Sequence, residues 1–300
     1  MITALQIFFL TFVSSIFFRV LSKSAAEVTS NLDYVYKAVE ETCIRLENRV
    51  PLIGFASAPW TLMCYMIDGS GQEKTKEKFG IARKWLYDHP DAANDFLSCL
   101  ADHVANHLIN QAKSGCHILQ LFDSWAGLIP PAQYRKFCIP SLLKIATAVK
   151  KACPDTPIIL FAKGANGVLE DLSLLPFDVL SVDSFIELSD ARKRVCGRVG
   201  IQGNMDPSAL QSSPAAIKDA VREMLESYGS QRHYIANLGH GCLPSYTPEN
   251  VGVFIDAVHD ISRQMIAEEN AQEFVEIEYG FGTHKVLVAT TKDLKEVNWD

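Results

Sequence analysis

HILQLFDSWAG, residues 117–127, holds the pattern on which the fold turns. Its first six residues, mostly apolar, have the length and composition of a short buried strand. The run then breaks at once into Asp123, Ser124 and Trp125. The same two-part pattern recurs at GFASAPWT (54–61), LFAKGAN (160–166), SVDSF (181–185), IQGNMDP (201–207) and NLGHG (237–241). Helical periodicity fills the intervals: 30–48, 79–87, Asp91 to Lys113, Ala132 to Lys151, 166–175, 188–196, Pro214 to Gly229, and Thr247 to about Ile266. Strands that are continuous apolar runs, alternating with helices, predict an α/β fold with a parallel sheet buried on both faces. Six strands are visible, which suits a doubly wound sheet or most of a closed (β/α)8 barrel. All six strands end in small, polar or charged residues, as if they built one rim, and this favours the barrel.

Three hundred residues, 48% of them hydrophobic, can bury a substantial core. A formal charge of -7 argues against a general nucleic-acid binder. Eight dispersed cysteines with no CxxC pair, and no N-x-[ST] acceptor, point to a reducing intracellular compartment, the cytoplasm. ALQIFFLTFVSSIFFRVL (4–21) stands apart. It is long enough for a signal-peptide core or a marginal membrane span, and a third reading is translated sequence ahead of a true internal exon. The organisation expected is an apolar leader over 1–26, a barrel portion over 27–267 and a tail over 268–300, with a hairpin in the tail around Gly280-Phe281-Gly282.

Five segments carry a family resemblance: PLIGFASAPWTLMCYMIDG (51–69), LQLFDSWAG (119–127), IILFAKG (158–164), GIQGNMDP (200–207) and YIANLGHG (234–241). In this order and spacing they resemble the uroporphyrinogen decarboxylases. The resemblance implies a (β/α)8 barrel, a homodimer, and a reaction that removes CO2 from the four acetate side chains of uroporphyrinogen without a cofactor or metal. By position, Tyr65 matches a tyrosine near the reacting acetate, Ser124 a serine that bonds a substrate carboxylate, and His240 a histidine that contacts another. Phe55 is placed to pack under the tetrapyrrole.

Each of these residues also has a plain structural reading: Tyr65 and Phe55 as core residues, Ser124 as a helix N-cap, His240 as a turn histidine. Gly239 and Gly241 are expected to give the His240 turn backbone angles that other residues resist. Lys163 can attract a carboxylate or pair with Asp183, and Asp206-Pro207 makes a turn. Ser57 departs from the family pattern, where glycine is expected.

The resemblance also implies two strands ahead of VPLIGF (50–55), one ending in an arginine-bearing signature like MRQAGRY, the other in an aspartate that holds pyrrole N–H groups. Neither is found here, so the visible strands are the barrel's third to eighth. Open edges and an inactive or nearly inactive chain are therefore expected. Two other functions fit parts of the sequence. One is a non-catalytic paralogue that dimerises with a full-length decarboxylase. The other is a zinc-dependent corrinoid methyltransferase, because His240-Gly241-Cys242 has the spacing of a zinc-binding pair.

Overall fold

A computed structural model describes residues 23–69, 77–229, 233–272, 274–279 and 282–287. The apolar stretch at 4–21 lies outside them. Two short helices, α1 (Ala25–Asn31) and α2 (Asp33–Leu46), open the described chain. Ser24 and Glu27 form a capping box on α1. The single helix expected over 30–48 is thus two, joined at Leu32.

Strand β1 (Ile53–Ser57) follows, then α3 (Pro59–Asp68), α4 (Gly80–Asp88) and the long α5 (Pro90–Lys113). Proline in the first turn of both α3 and α5 suits a position with no intrahelical N–H bond. Strand β2 (Ile118–Asp123) leads to α6 (Pro131–Gln133), a π-turn at Tyr134–Cys138 and α7 (Ile139–Ala152). One helix was expected across 132–151. Pro140 explains the interruption: it has no N–H for the Lys136 carbonyl, and its ring would crowd that oxygen.

The series continues with β3 (Ile158–Ala162), α8 (Leu169–Leu172), β4 (Val179–Ser181), α9 (Leu188–Val195) and β5 (Gly200–Met205). It closes with α10 (Pro214–Tyr228), β6 (Tyr234–Leu238) and α11 (Pro248–Gln272). Ser213 caps α10, and Gly229, at φ 70°, ends it in the left-handed conformation. The tail forms the expected hairpin, β7 (Phe274–Tyr279) antiparallel to β8 (Gly282–Leu287).

Strands β1 to β6 form one parallel sheet in sequential order. Among the described residues β1 and β6 are its edges, so the sheet is six strands of a barrel with no closing pair between them. The register sorts residues into two faces. Gly54, Leu119, Leu121, Leu160, Leu180 and Ile201 share the outer face, where the helices cover them. Phe55, Gln120, Ile159 and Val179 lie side by side on the inner face, and Ser57, Phe122, Phe161, Ser181, Gln202 and Ile235 form the next layer towards the strands' carboxyl ends.

Burial on both faces holds for the central strands and fails at the edges. Phe55 is 63% exposed and Ile235 39% exposed, because among the described residues no further strand continues the sheet beyond β1 or β6. The edge of β1 is not wholly bare. Buried Gln111 of α5 accepts from the Phe55 N–H at 3.0 Å and donates to the Phe55 carbonyl at 2.9 Å, supplying with one side-chain amide what a neighbouring strand would supply. All eight cysteines are free thiols. Among the described residues no helix is long and apolar enough to cross a membrane.

Candidate active site

An aromatic row lines the inner face. Phe55 meets Phe122 edge-on at 6.1 Å between ring centroids, and Phe122 meets Phe161 at 6.1 Å. The His240 imidazole stacks on Phe161 at 6.2 Å and 24°. His240 follows β6 and Phe161 belongs to β3, so the curved sheet brings together residues far apart in its strand order.

The two glycines beside His240 work differently from the expectation. Neither has a positive φ. Gly239 is needed for space, since a Cβ there would lie 2.5 Å from the Ser184 nitrogen and 3.0 Å from the Asn204 carbonyl oxygen. Gly241 has nothing within 4 Å. Partial burial holds the His240 pKa below its ordinary value; the Lys163 charge lowers it further, and Asp183 opposes both.

Tyr65 and Ser124 stand at one corner of the rim. Tyr65, in the second turn of α3, is 41% exposed and packs edge-on against Phe79 at 5.6 Å and Trp125 at 6.2 Å. Its hydroxyl bonds to no other described residue, and at this exposure Tyr65 is not a core tyrosine. Ser124 directly precedes Trp125. The short 3-10 turn that follows takes Trp125 as its N-cap residue and receives no side-chain cap, so Ser124 is not used in that way. Lys78 lies 3.8 Å from the centroid of the Trp125 ring.

Beneath this corner lies a carboxylate that the motif reading passed over. Asp123 is fully buried. Thr61 Oγ1 and the Tyr134 hydroxyl each donate to it at 2.7 Å. Thr61 Oγ1 also accepts from the Trp125 N–H at 3.4 Å, and Trp60 Nε1 donates to the Trp125 carbonyl at 3.0 Å. The first turn of α3 is thereby stapled to residues 123–125, which sets Tyr65 relative to Ser124. Burial pushes the Asp123 pKa up to about 6, against the pull of its two hydroxyl donors. The sequence held one signal for this role: Asp123 continues the alternation of Leu119 and Leu121, so it points to the helix side.

Asp183, also buried, accepts from the Gly164 N–H at 2.5 Å, the Phe185 N–H at 2.9 Å and Asn166 Nδ2 at 3.2 Å. It ties the loops after β3 and β4 and makes no ion pair with Lys163, contrary to one of the two readings of that lysine. Asp206 accepts from the Ser208 N–H and caps the turn after β5, as expected. Ser57 shares a register pair with Phe122 on the inner face, so its hydroxyl does border the site.

His240 and Cys242 are both exposed, and among the described residues no group of three His, Cys, Asp or Glu side chains is placed to hold a metal ion. The zinc reading therefore finds no third ligand there. A separate cleft of about 340 Å³, lined in part by Arg83, Gly127, Tyr134 and Gly164, includes none of the four motif-derived site residues.

Comparison with known proteins adds four findings. The profile of the uroporphyrinogen decarboxylase (URO-D) family matches residues 17–261. The chain is 46% identical over 239 residues to a uroporphyrinogen decarboxylase of Salinibacter ruber, covering 80% of this chain and 66% of the relative. It is 42% identical over 241 residues to the Homo sapiens protein of the same name, covering 79% and 64%. It thus spans just under two thirds of the length of these relatives. Among solved structures, a methyltransferase from Methanosarcina mazei superposes with a TM-score of 0.65 at 20% identity, covering 76% of this chain and 64% of that one, a likeness of fold alone.

Proposed function

The chain belongs to the uroporphyrinogen decarboxylase family, and on that premise we propose that its inner face binds uroporphyrinogen and serves the loss of CO2 from the four acetate side chains, giving coproporphyrinogen. The observation that carries this reading is the aromatic row Phe55–Phe122–Phe161–His240, with Ser124 and Tyr65 at the strands' carboxyl ends. Aromatic faces suit a tetrapyrrole, and polar groups at the rim suit its carboxylates.

The chemistry asks little of the protein. Protonation of a pyrrole ring on carbon makes that ring an electron sink. The bond between the acetate methylene and its carboxylate then breaks, CO2 leaves with its two oxygens, and the electron pair enters the ring. A proton added to the exocyclic carbon makes the methyl group, and loss of the first proton from the ring carbon restores the pyrrole. The protein supplies orientation, proton delivery and stabilisation of charge. In this reading Phe55 and Phe122 support the macrocycle, and Ser124 donates to a carboxylate. Tyr65 stands at the reacting acetate with a hydroxyl that no other described residue engages. His240, whose pKa burial and the Lys163 charge lower, donates a hydrogen bond to a second carboxylate. A homodimer and a reducing cellular compartment belong to the same reading, the latter suited to eight free thiols.

Among the described residues the inner face is open at β1 and β6 and does not exclude water, and charge stabilisation weakens in water. We therefore expect the 300-residue chain alone to bind substrate and turn it over slowly. The test assays conversion of uroporphyrinogen by this chain, and by a chimera carrying the preceding segment of a family relative. Coproporphyrinogen formed by the chimera, and reduced at least tenfold by Tyr65→Phe, supports the proposal. Neither binding nor conversion by either protein refutes it.

A further inference from the structure

Lys163 is a charged residue of the rim motifs to which neither the fold nor the proposed chemistry has given a task. Its backbone is fixed as an extension of β3: its N–H donates to the Asp123 carbonyl at 3.1 Å, and its carbonyl accepts from the Gly127 N–H at 2.8 Å. Lys163 lies just past the end of β3 with one ladder bond left to Asp123, and its charge acts on His240, which stacks on Phe161 of the inner face. The β2–β3 register pairs Phe122 with Phe161 and Asp123 with Ala162, and Ser124 and Lys163 are the next residues along the two chains. On the other side the β3–β4 register pairs Phe161 with Ser181, and Asp183, two residues on, accepts from the N–H of Gly164, the neighbour of Lys163.

Asp183 is the natural counter-ion in that place, yet its oxygens are engaged by three other donors. The Lys163 side chain is half-buried and its ammonium has no ion-pair partner among the described residues. A half-buried cation without a partner, facing the concave side of the sheet between a serine and a histidine, is a site for an anion.

We propose that the Lys163 ammonium binds a peripheral carboxylate of the tetrapyrrole, between Ser124 and His240 on the inner face. This rests on the tetrapyrrole reading and adds a residue to it. The influence of the Lys163 charge on His240 agrees with this placement. Lysine rather than arginine suits the task, because a compact ammonium on a flexible stem can follow a flexible carboxylate side chain.

The test is equilibrium binding of uroporphyrin, the oxidised octacarboxylate, to the purified chain and to Lys163→Met and Lys163→Arg, at low and high ionic strength. Methionine keeps most of the aliphatic stem and all the main-chain bonds, and a matching denaturation midpoint checks the fold. Where that midpoint falls, Lys163→Gln carries the same comparison. Loss of one charge-assisted bond is expected to weaken binding about tenfold at low salt in Lys163→Met, with a smaller difference at high salt, while Lys163→Arg recovers most of the affinity. Equal affinity in wild type and Lys163→Met overturns the assignment and leaves the tetrapyrrole reading intact. A loss that ignores ionic strength also overturns it, since that marks a packing role. A wild-type chain that binds no uroporphyrin overturns this assignment, and the chimera then decides the tetrapyrrole reading.

Discussion

Replacing Asp123 with asparagine should change how stability depends on pH, in a direction set by burial. The carboxyl is fully buried and its pKa stands at about 6, against an ordinary 3.8. A raised pKa means that the folded state holds the proton more tightly than the unfolded state. The carboxyl's contribution is therefore fully present below pH 3.8, falls as pH rises, and is gone above about pH 6. The whole change corresponds to about 3 kcal/mol. Asparagine does not titrate. Its oxygen can accept from one of the two hydroxyls, Thr61 or Tyr134, and the other can rotate to accept from its amide. The groups that face Asp123 do not blur the reading. Burial and the Asp123 charge push the thiols of Cys64 and Cys138 and the Tyr134 hydroxyl upward, away from the acid range. Urea unfolding of both proteins from pH 3.5 to 8 gives the difference in stability, in which other carboxylates cancel. Relative to Asp123→Asn, the wild type should lose about 3 kcal/mol between pH 4 and 6 and then level off. A difference that stays constant from pH 4 to 8 would refute the reasoning, because the folded carboxyl would then titrate as it does unfolded.

Three further outcomes follow from particular contacts. Proton NMR should find His240 titrating below the ordinary 6.5, with its midpoint rising in Lys163→Met as a neighbouring positive charge is removed. Gly239→Ala should lower stability by about 1–3 kcal/mol, because its Cβ would overlap the Ser184 nitrogen, while Gly241→Ala, in open space, should stay within about 0.5 kcal/mol; denaturation midpoints measure both. Gln111→Leu should cost about 2 kcal/mol by the same assay and raise the aggregation rate seen by light scattering, since it bares the Phe55 N–H and carbonyl on the edge of β1.

The sequence by itself determined the alternation of strand and helix, the six strand ends and the positions of Phe55, Tyr65, Ser124 and His240 in their motifs. These rest on local physics: hydrophobic period, proline and glycine placement, and the order of segments along the chain. The tail hairpin was legible for the same reason, as a glycine pair between two β-prone runs. What the residues do to one another lay beyond that reach. Thr61 meets Asp123 across 62 residues, and Gln111 meets Phe55 across 56. Phe161 and His240 touch because the sheet curves. Asp123 and Ser124 are adjacent polar residues in one motif, yet one is fully buried and the other borders the site. Only tertiary structure decided which was which, because burial depends on what the strand packs against, and that comes from chain far away in sequence. The same holds for Lys163 and Asp183. They read as a possible ion pair, but three donors from neighbouring loops took up the aspartate and left the lysine facing the open side of the sheet.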